Sequence, residues 1–238
     1  MSIQALDKHP AKFSAPILTL IGHMLGDRAA EGTILDPFAG IGGVLDLAHL
    51  WPEAHWWLNE LEPEWAAACE KRMIFQDVPG LVTAWDWLSV NAKRHDINTV
   101  ITSCTYGNRM ADNHTPSPED TSRRITYRHT LGRPLTDNNS GGMQWGETYR
   151  HFHVQAWRKV HEALRDGGMF VLNVSDHIRG GRVQPVTAWH RSTIAGFGFE
   201  SMGEEKVETK RMRLGANGDA RVGYETVMMW RKPDGRKW

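Results

Sequence analysis

Cysteine is scarce in this chain, with two among 238 residues. So few exclude a disulfide framework and suit a reducing compartment. No apolar run approaches the roughly 18–20 residues needed to span a bilayer. The stretch from Met1 to Lys12 also lacks the apolar core of a secretory signal, so a cytoplasmic location is expected. Net charge is missing as well, because 28 Lys+Arg balance 28 Asp+Glu. That balance excludes a generally polycationic nucleic-acid coat protein but leaves room for a local basic groove. Internal repeats and low-complexity tracts are absent. What remains, 40% apolar and 24% charged, is the composition of a soluble globular chain. A single α/β domain over residues 1–238 is the expectation at this length.

Short apolar strands alternate with helical stretches, the pattern of a parallel sheet with crossover helices. Strands are expected at Thr33–Phe38, His55–Leu61, Leu81–Trp85, Thr99–Cys104 and Met169–Ser175. Helices are expected at Ile41–Leu50, Glu64–Phe75, Tyr149–Leu164 and Pro185–Ala195. In the second of these, Trp65, Ala68, Cys69, Arg72 and Met73 share one helical face, and Pro63 suits its first turn. Phe197–Val207 and Arg221–Trp230 then read as an antiparallel hairpin around Gly215–Ala216–Asn217–Gly218. Five parallel strands plus this hairpin make a seven-stranded sheet, by analogy a Rossmann-like fold of the class I methyltransferase type. The polar segment 106–146 has no clean period and carries Arg109, Arg123, Arg124, Arg128 and Arg133. So long a connection inside a compact domain points to function or disorder.

Asp36–Pro37–Phe38–Ala39–Gly40–Ile41–Gly42–Gly43 falls where a strand should turn into a helix. Gly40 and Gly42 carry no Cβ and let the backbone approach a ligand closely. A dinucleotide would require G-x-G-x-x-G, yet Leu45 stands at the third glycine position. Asp36 also suits the ammonium and sulfonium groups of S-adenosylmethionine better than a pyrophosphate. Glu60, about 20 residues beyond the glycines, is placed to accept ribose hydroxyls, with Glu62 as the alternative. Asp86, after the third strand, would accept from the adenine amino group. Each acid alone reads as a plain strand-end residue; three in this order, each at a strand's C-terminal edge, mark a cofactor crevice.

These residues resemble DNA amino-methyltransferases, enzymes that modify cytosine N4 or adenine N6. The resemblance lies in DPFAGIGG, which implies cofactor contacts for Asp36, Phe38, Gly40 and Gly42. It extends to His9–Pro10–Ala11–Lys12–Phe13–Ser14, similar to a segment that holds the methionine end of the cofactor, and so implies roles for Lys12 and Phe13. It continues through Arg123–Arg124, Tyr127–Arg128–His129, Asn138–Asn139–Ser140–Gly141, Met143–Gln144–Trp145–Gly146 and Leu172–Asn173–Val174–Ser175–Asp176. The family's catalytic motif, Thr-Ser-Pro-Pro-Tyr in the cytosine-N4 branch, is here Thr102–Ser103–Cys104–Thr105–Tyr106. Two prolines, and with them two preset φ angles, are lost.

The departure puts a cysteine where a flipped base should lie. Methylation at cytosine C5 needs a thiolate that adds to C6, so Cys104 is expected as nucleophile, with Ser103 and Tyr106 as its catalytic neighbours. Its thiol, ordinarily near a pKa of about 8.5, would need a cation such as Arg109 to ionise. The expected activity is therefore cytosine methylation of double-stranded DNA at C5. The alternatives are N4 or N6 methylation without a covalent intermediate, and a non-catalytic DNA-binding protein that kept the crevice. Arg109, Arg123, Arg124, Arg128 and Arg133 are expected on phosphates, and Gln144 on a base edge. Lys206, Lys210, Arg211 and Arg213 form a second basic stretch that a solvated face explains as well. No metal site is expected, since the histidines are scattered and lack paired cysteines. A lone methylase and one half of a restriction system look alike at this level.

Overall fold

The computed structural model describes residues 13–92, 96–107, 127–209 and 222–235. Seven strands form one sheet: β1 (Thr33–Asp36), β2 (His55–Asn59), β3 (Gly80–Thr83), β4 (Ile97–Ser103), β5 (Leu164–Val174), β8 (Glu200–Glu208) and β9 (Tyr224–Arg231). Their order is β3-β2-β1-β4-β5-β9-β8. The first five run parallel, and β9 pairs antiparallel with both β5 and β8. This is the expected seven-stranded sheet ending in an antiparallel pair. The connection expected at 215–218 lies outside the described residues.

Both sheet faces are covered, as a parallel sheet requires. Successive strand residues point to opposite faces. Leu35, Val100, Phe170, Leu172 and Trp230 pack with Phe152, Trp157 and Val160 of helix α4 (Glu147–Ala163) and with Val186 and Ile194 of α5 (Val186–Gly196). Ile34, Ile101, Val171 and Val227 pack on the other side with Ile17, Ile21 and Leu25 of α1 (Ala15–Leu25). Cys69 and Met73 of α2 (Pro63–Phe75) join that second layer.

Three features depart from expectation. Helix α1 was not anticipated, although Ile17, Ile21 and Leu25 are spaced i, i+4, i+8. The helix expected at Ile41–Leu50 is instead 3₁₀ over Gly43–Leu50, with Val44, Leu45, Leu47 and Ala48 all buried. Apolar residues crowding every side of a short segment do not distinguish an i+3 from an i+4 repeat. A small hairpin, β6 (His177–Arg179) and β7 (Arg182–Gln184), follows β5. Within 106–146, the described part holds a short helix, α3 (Tyr127–Leu131), and a loop laid against α2.

Candidate active site

The chain reverses its direction of sheet growth between β1 and β4, and a crevice opens at the C-terminal ends of such strands. One cleft occupies that edge, running from Phe13, Gly40, Glu60 and Asp86 to Ser103, Cys104, Tyr106 and Glu225. Three carboxylates line it, those of Glu60, Asp86 and Glu225; among the described lining residues there is no Lys, Arg or His.

At the β1 end, glycine conformation shapes the turn. Gly40 (φ 56°) and Gly42 (φ 74°) adopt left-handed backbone that other residues resist. The thiol of Cys69 donates to the Gly40 carbonyl at 3.0 Å from below. A Cβ on Gly42 would lie 3.3 Å from Leu45 and Leu58 and 3.4 Å from Cys69, so this glycine serves packing. It does not line the cleft, and its expected cofactor contact is corrected accordingly. Asp36 is corrected too. It is 1% exposed, and its Oδ1 accepts from the Phe38 amide and the Thr102 hydroxyl. Asp36 therefore fixes the loop from inside; burial pushes its carboxyl up to about 7 against the lowering effect of those two donors.

Glu60 does reach the cleft. Its two oxygens accept from the amides of Gly40 (2.8 Å) and Glu62 (2.9 Å). Burial pushes its carboxyl up to about 8, while the two amides favour the charged form. Each oxygen keeps a further lone pair for a ribose hydroxyl. Glu62 is fully buried and committed elsewhere: it accepts from the Thr136 amide and hydroxyl and from Asn139, and pairs with Arg133 at 2.7 Å. Asp86 lines the cleft, caps a 3₁₀ turn through the Leu88 amide, and accepts from Asn138.

Arg133, expected on a phosphate, is instead held by Glu62 and Glu64, and its charge is used to bind the 133–139 loop to α2. Asn138 and Asn139 are likewise spent on Asp86 and Glu62. Gln144 is exposed. Lys12, Arg109, Arg123 and Arg124 lie outside the described residues, as does the side chain of Arg128.

At the β4 end, the sequence Ser103–Cys104–Thr105–Tyr106 is pinned by hydrogen bonds where the family pattern has prolines. Thr105 Oγ1 donates to the Ser140 carbonyl at 3.0 Å. The Thr105 carbonyl accepts from the Tyr149 hydroxyl at 2.5 Å. Behind it, the Trp157 indole donates to His190 Nδ1 at 2.9 Å, which leaves the proton of a neutral imidazole on Nε2. Nε2 is 2.9 Å from the Tyr149 oxygen and donates to it. Gly107 (φ 66°) follows, its carbonyl accepting from the Trp145 amide; a Cβ there would sit 2.6 Å from that nitrogen.

Cys104 lines the cleft but is 2% exposed, with Sγ 3.7 Å from His190 Nε2 and 3.8 Å from the Tyr149 oxygen. Burial pushes its thiol up to about 12. Burial also holds His190 well below its usual value, so this ring is neutral and supplies no charge to a thiolate. These surroundings oppose the ionisation expected of a nucleophile.

Two residues went unrecognised in the sequence. Asn173, at the end of β5 opposite Ser103, donates to Ser103, Tyr106 and Glu225. Glu225, on β9, accepts from the Tyr106 hydroxyl at 2.9 Å and from Asn173 at 2.6 Å. The available signal was topological. An antiparallel strand presents its first residues at the edge where its parallel neighbours present their last.

The donor set suits S-adenosylmethionine. The described lining carries acids and no basic side chain, which would repel a pyrophosphate and attract a sulfonium cation, and Glu60 would take the ribose. Trp85, half exposed at the rim beside Asp86, offers a flat apolar wall for adenine. Among the described residues no cluster of three or more metal-ligating side chains occurs.

No family model matches the chain, and no curated protein does. Solved structures are similar. TrmN from Thermus thermophilus aligns with 13% identity and a TM-score of 0.57 over 96% of this chain, which spans 52% of TrmN's length. The N-methyltransferase NodS from Bradyrhizobium japonicum WM9, in complex with S-adenosyl-L-homocysteine, gives 12% and 0.55 over 96% of this chain and 91% of its own. An rRNA methylase from Streptococcus thermophilus gives 10% and 0.53 over 94% of this chain and 100% of its own. The chain thus has the Rossmann-like fold of class I methyltransferases. None of these three is named as a DNA amino-methyltransferase, and the likeness expected from the sequence motifs finds no support in the comparisons.

Proposed function

We propose that this protein is an S-adenosylmethionine-dependent methyltransferase acting on an exocyclic amino nitrogen, that of cytosine in DNA. The observation that carries the reading is the single acid-lined cleft joining Gly40 and Glu60 to Ser103 and Tyr106. Phe13, Phe38, Glu60 and Asp86 would hold the cofactor, which supplies an electrophilic methyl group when bound. Ser103, Asn173 and Tyr106 would orient the accepting amine, and the aromatic ring would stack on an extruded base. Nitrogen is favoured over C5 because C5 transfer needs a thiolate, whereas Cys104 sits buried beside a neutral imidazole. DNA as substrate rests on the motifs resembling amino-methyltransferases and on the Arg-rich part of segment 106–146.

Nucleoside chromatography with mass spectrometry, on DNA and RNA from cells expressing the protein, tests this reading. N4-methylcytosine and 5-methylcytosine have equal mass and must be separated before detection. N4-methylcytosine in DNA is the expected product. A 5-methylcytosine peak that vanishes in Cys104→Ala would overturn nitrogen transfer and establish the covalent route. Methylation confined to RNA would move the substrate class, and no modified base beside intact cofactor binding would favour a non-catalytic binding protein.

A further inference from the structure

Resting on that reading, we infer that the β6–β7 hairpin is an arm whose Arg179 and Arg182 grip the phosphodiester backbone of the DNA beside the acceptor end of the cleft. Antiparallel pairing sets these two residues directly opposite each other, across a two-residue turn of Gly180 (φ 57°) and Gly181 (φ 73°). Both arginines are exposed, and a Cβ on either tip glycine would meet no atom within 4 Å, so the tip stands clear of the described molecule. Among the described residues no carboxylate pairs with either arginine. Asp176, the nearest acid in sequence, is turned to the Thr187 amide at 2.7 Å. Like charges placed opposite each other on paired strands repel. A phosphate between the two guanidinium groups turns that repulsion into charge-assisted hydrogen bonds on both sides. The base of the hairpin fixes where the grip falls. His177 hydrogen-bonds the Tyr106 backbone, and the Trp145 carbonyl that accepts from Arg179 belongs to the residue whose amide donates to Gly107. Arg150 lies 5.5 Å over the same Trp145 ring and adds a third positive charge. The cleft, acidic in its described lining, repels a phosphodiester, so affinity for the backbone has to come from such surroundings.

The test is fluorescence anisotropy of a labelled mixed-sequence DNA duplex, titrated with the full chain in saturating S-adenosyl-L-homocysteine at several salt concentrations. Each phosphate contact contributes about 0.9 to the slope of log affinity against log salt. Arg179→Ala/Arg182→Ala should therefore flatten the slope by about 2 and weaken binding about tenfold or more at about 0.1 M salt. Affinity for S-adenosyl-L-homocysteine should stay unchanged. Arg179→Lys/Arg182→Lys keeps both charges and should keep the slope, which guards against a misfolded alanine variant. Arg165→Ala removes an exposed arginine near the start of β5, at the sheet edge away from the cleft, and should leave the slope as it is. A wild-type slope in Arg179→Ala/Arg182→Ala, or the same loss per charge in Arg165→Ala, overturns the arm. Wild type that binds S-adenosyl-L-homocysteine but no DNA, or RNA alone, overturns the DNA reading and the arm with it. Arginine-dependent DNA binding without methyl transfer upholds the arm and breaks only the catalytic part of that reading.

Discussion

The two ends of the cleft each carry an acid, yet they hold it differently. Glu60 is fixed by backbone amides, those of Gly40 and Glu62. Glu225 is fixed by side chains, those of Tyr106 and Asn173. Backbone donors cannot leave without unfolding the turn, so the cofactor end is preorganised before any ligand arrives. Side-chain donors can trade partners with an incoming group, so the acceptor end can respond to what enters. The cysteines repeat the contrast: Cys69 braces the glycine turn through a carbonyl, and Cys104 packs under the β4 loop among Tyr149 and His190.

The largest expected effect would break the cofactor end. Glu60→Ala removes the acceptor for two buried amides and for the ribose. Calorimetry should show affinity for S-adenosyl-L-homocysteine falling by about 100-fold or more, at about 1.4 kcal/mol per tenfold. Tyr149→Phe strikes the other end alone by releasing the Thr105 carbonyl and the His190 proton. It should lower kcat by about tenfold, at about 1–2 kcal/mol for one buried hydrogen bond, with cofactor affinity unchanged. Comparable loss of cofactor affinity in that variant would show that the two ends are not independent.

Acidity sharpens the comparison further. Buried Asp36 and Glu60 bind protons in the folded state up to about pH 7 and pH 8, whereas the unfolded chain releases them near pH 4. Their contribution to stability therefore falls as pH rises through that window. Buried His153 (pushed down to about 4) and His190 act oppositely below pH 6.5, because there only the unfolded chain binds their protons. The opposing slopes offset one another in acid. The thermal midpoint of the ligand-free protein should then decline between pH 6.5 and 8, and Glu60→Gln should flatten the decline in its upper half. The smallest effects belong to the thiols. Cys69→Ala and Cys104→Ala should each cost about 1–2 kcal/mol in denaturant unfolding as small buried truncations. Cys104→Ala should retain methyl transfer within about fivefold, and Cys69→Ala should not alter it.

The seven strands, the parallel run and the glycine turn were legible because strand alternation and glycine placement are local signals. That Glu60 and not Glu62 lines the cleft agrees with the spacing, because Glu62 turns inward to Thr136, Asn139 and Arg133. Asp36 and Arg133 misled for a common reason. A charged residue near a ligand motif reads as a ligand contact, while its actual partners, Thr102 and Glu62, are 66 and 71 positions away in one chain and invisible to spacing. The Trp157–His190–Tyr149–Thr105 chain joins two helices to a loop and has no sequence period at all. Glu225 was hidden by the same distance, although strand direction would have placed it at the functional edge.

The Arg133 clamp has a kinetic corollary. The loop it holds supplies Asn138, Asn139 and Ser140 to the cleft wall, and its grip on Glu64 is ionic and partly solvent-exposed. Added salt screens such a pair, whereas the neutral, buried chain behind Thr105 feels no screening. Ionic strength is therefore a selective lever on this molecule. Added salt should loosen the Asn138–Ser140 wall of the cleft, which a bound cofactor would feel as faster exchange on the proposed reading, and leave the loop held at Thr105 in place.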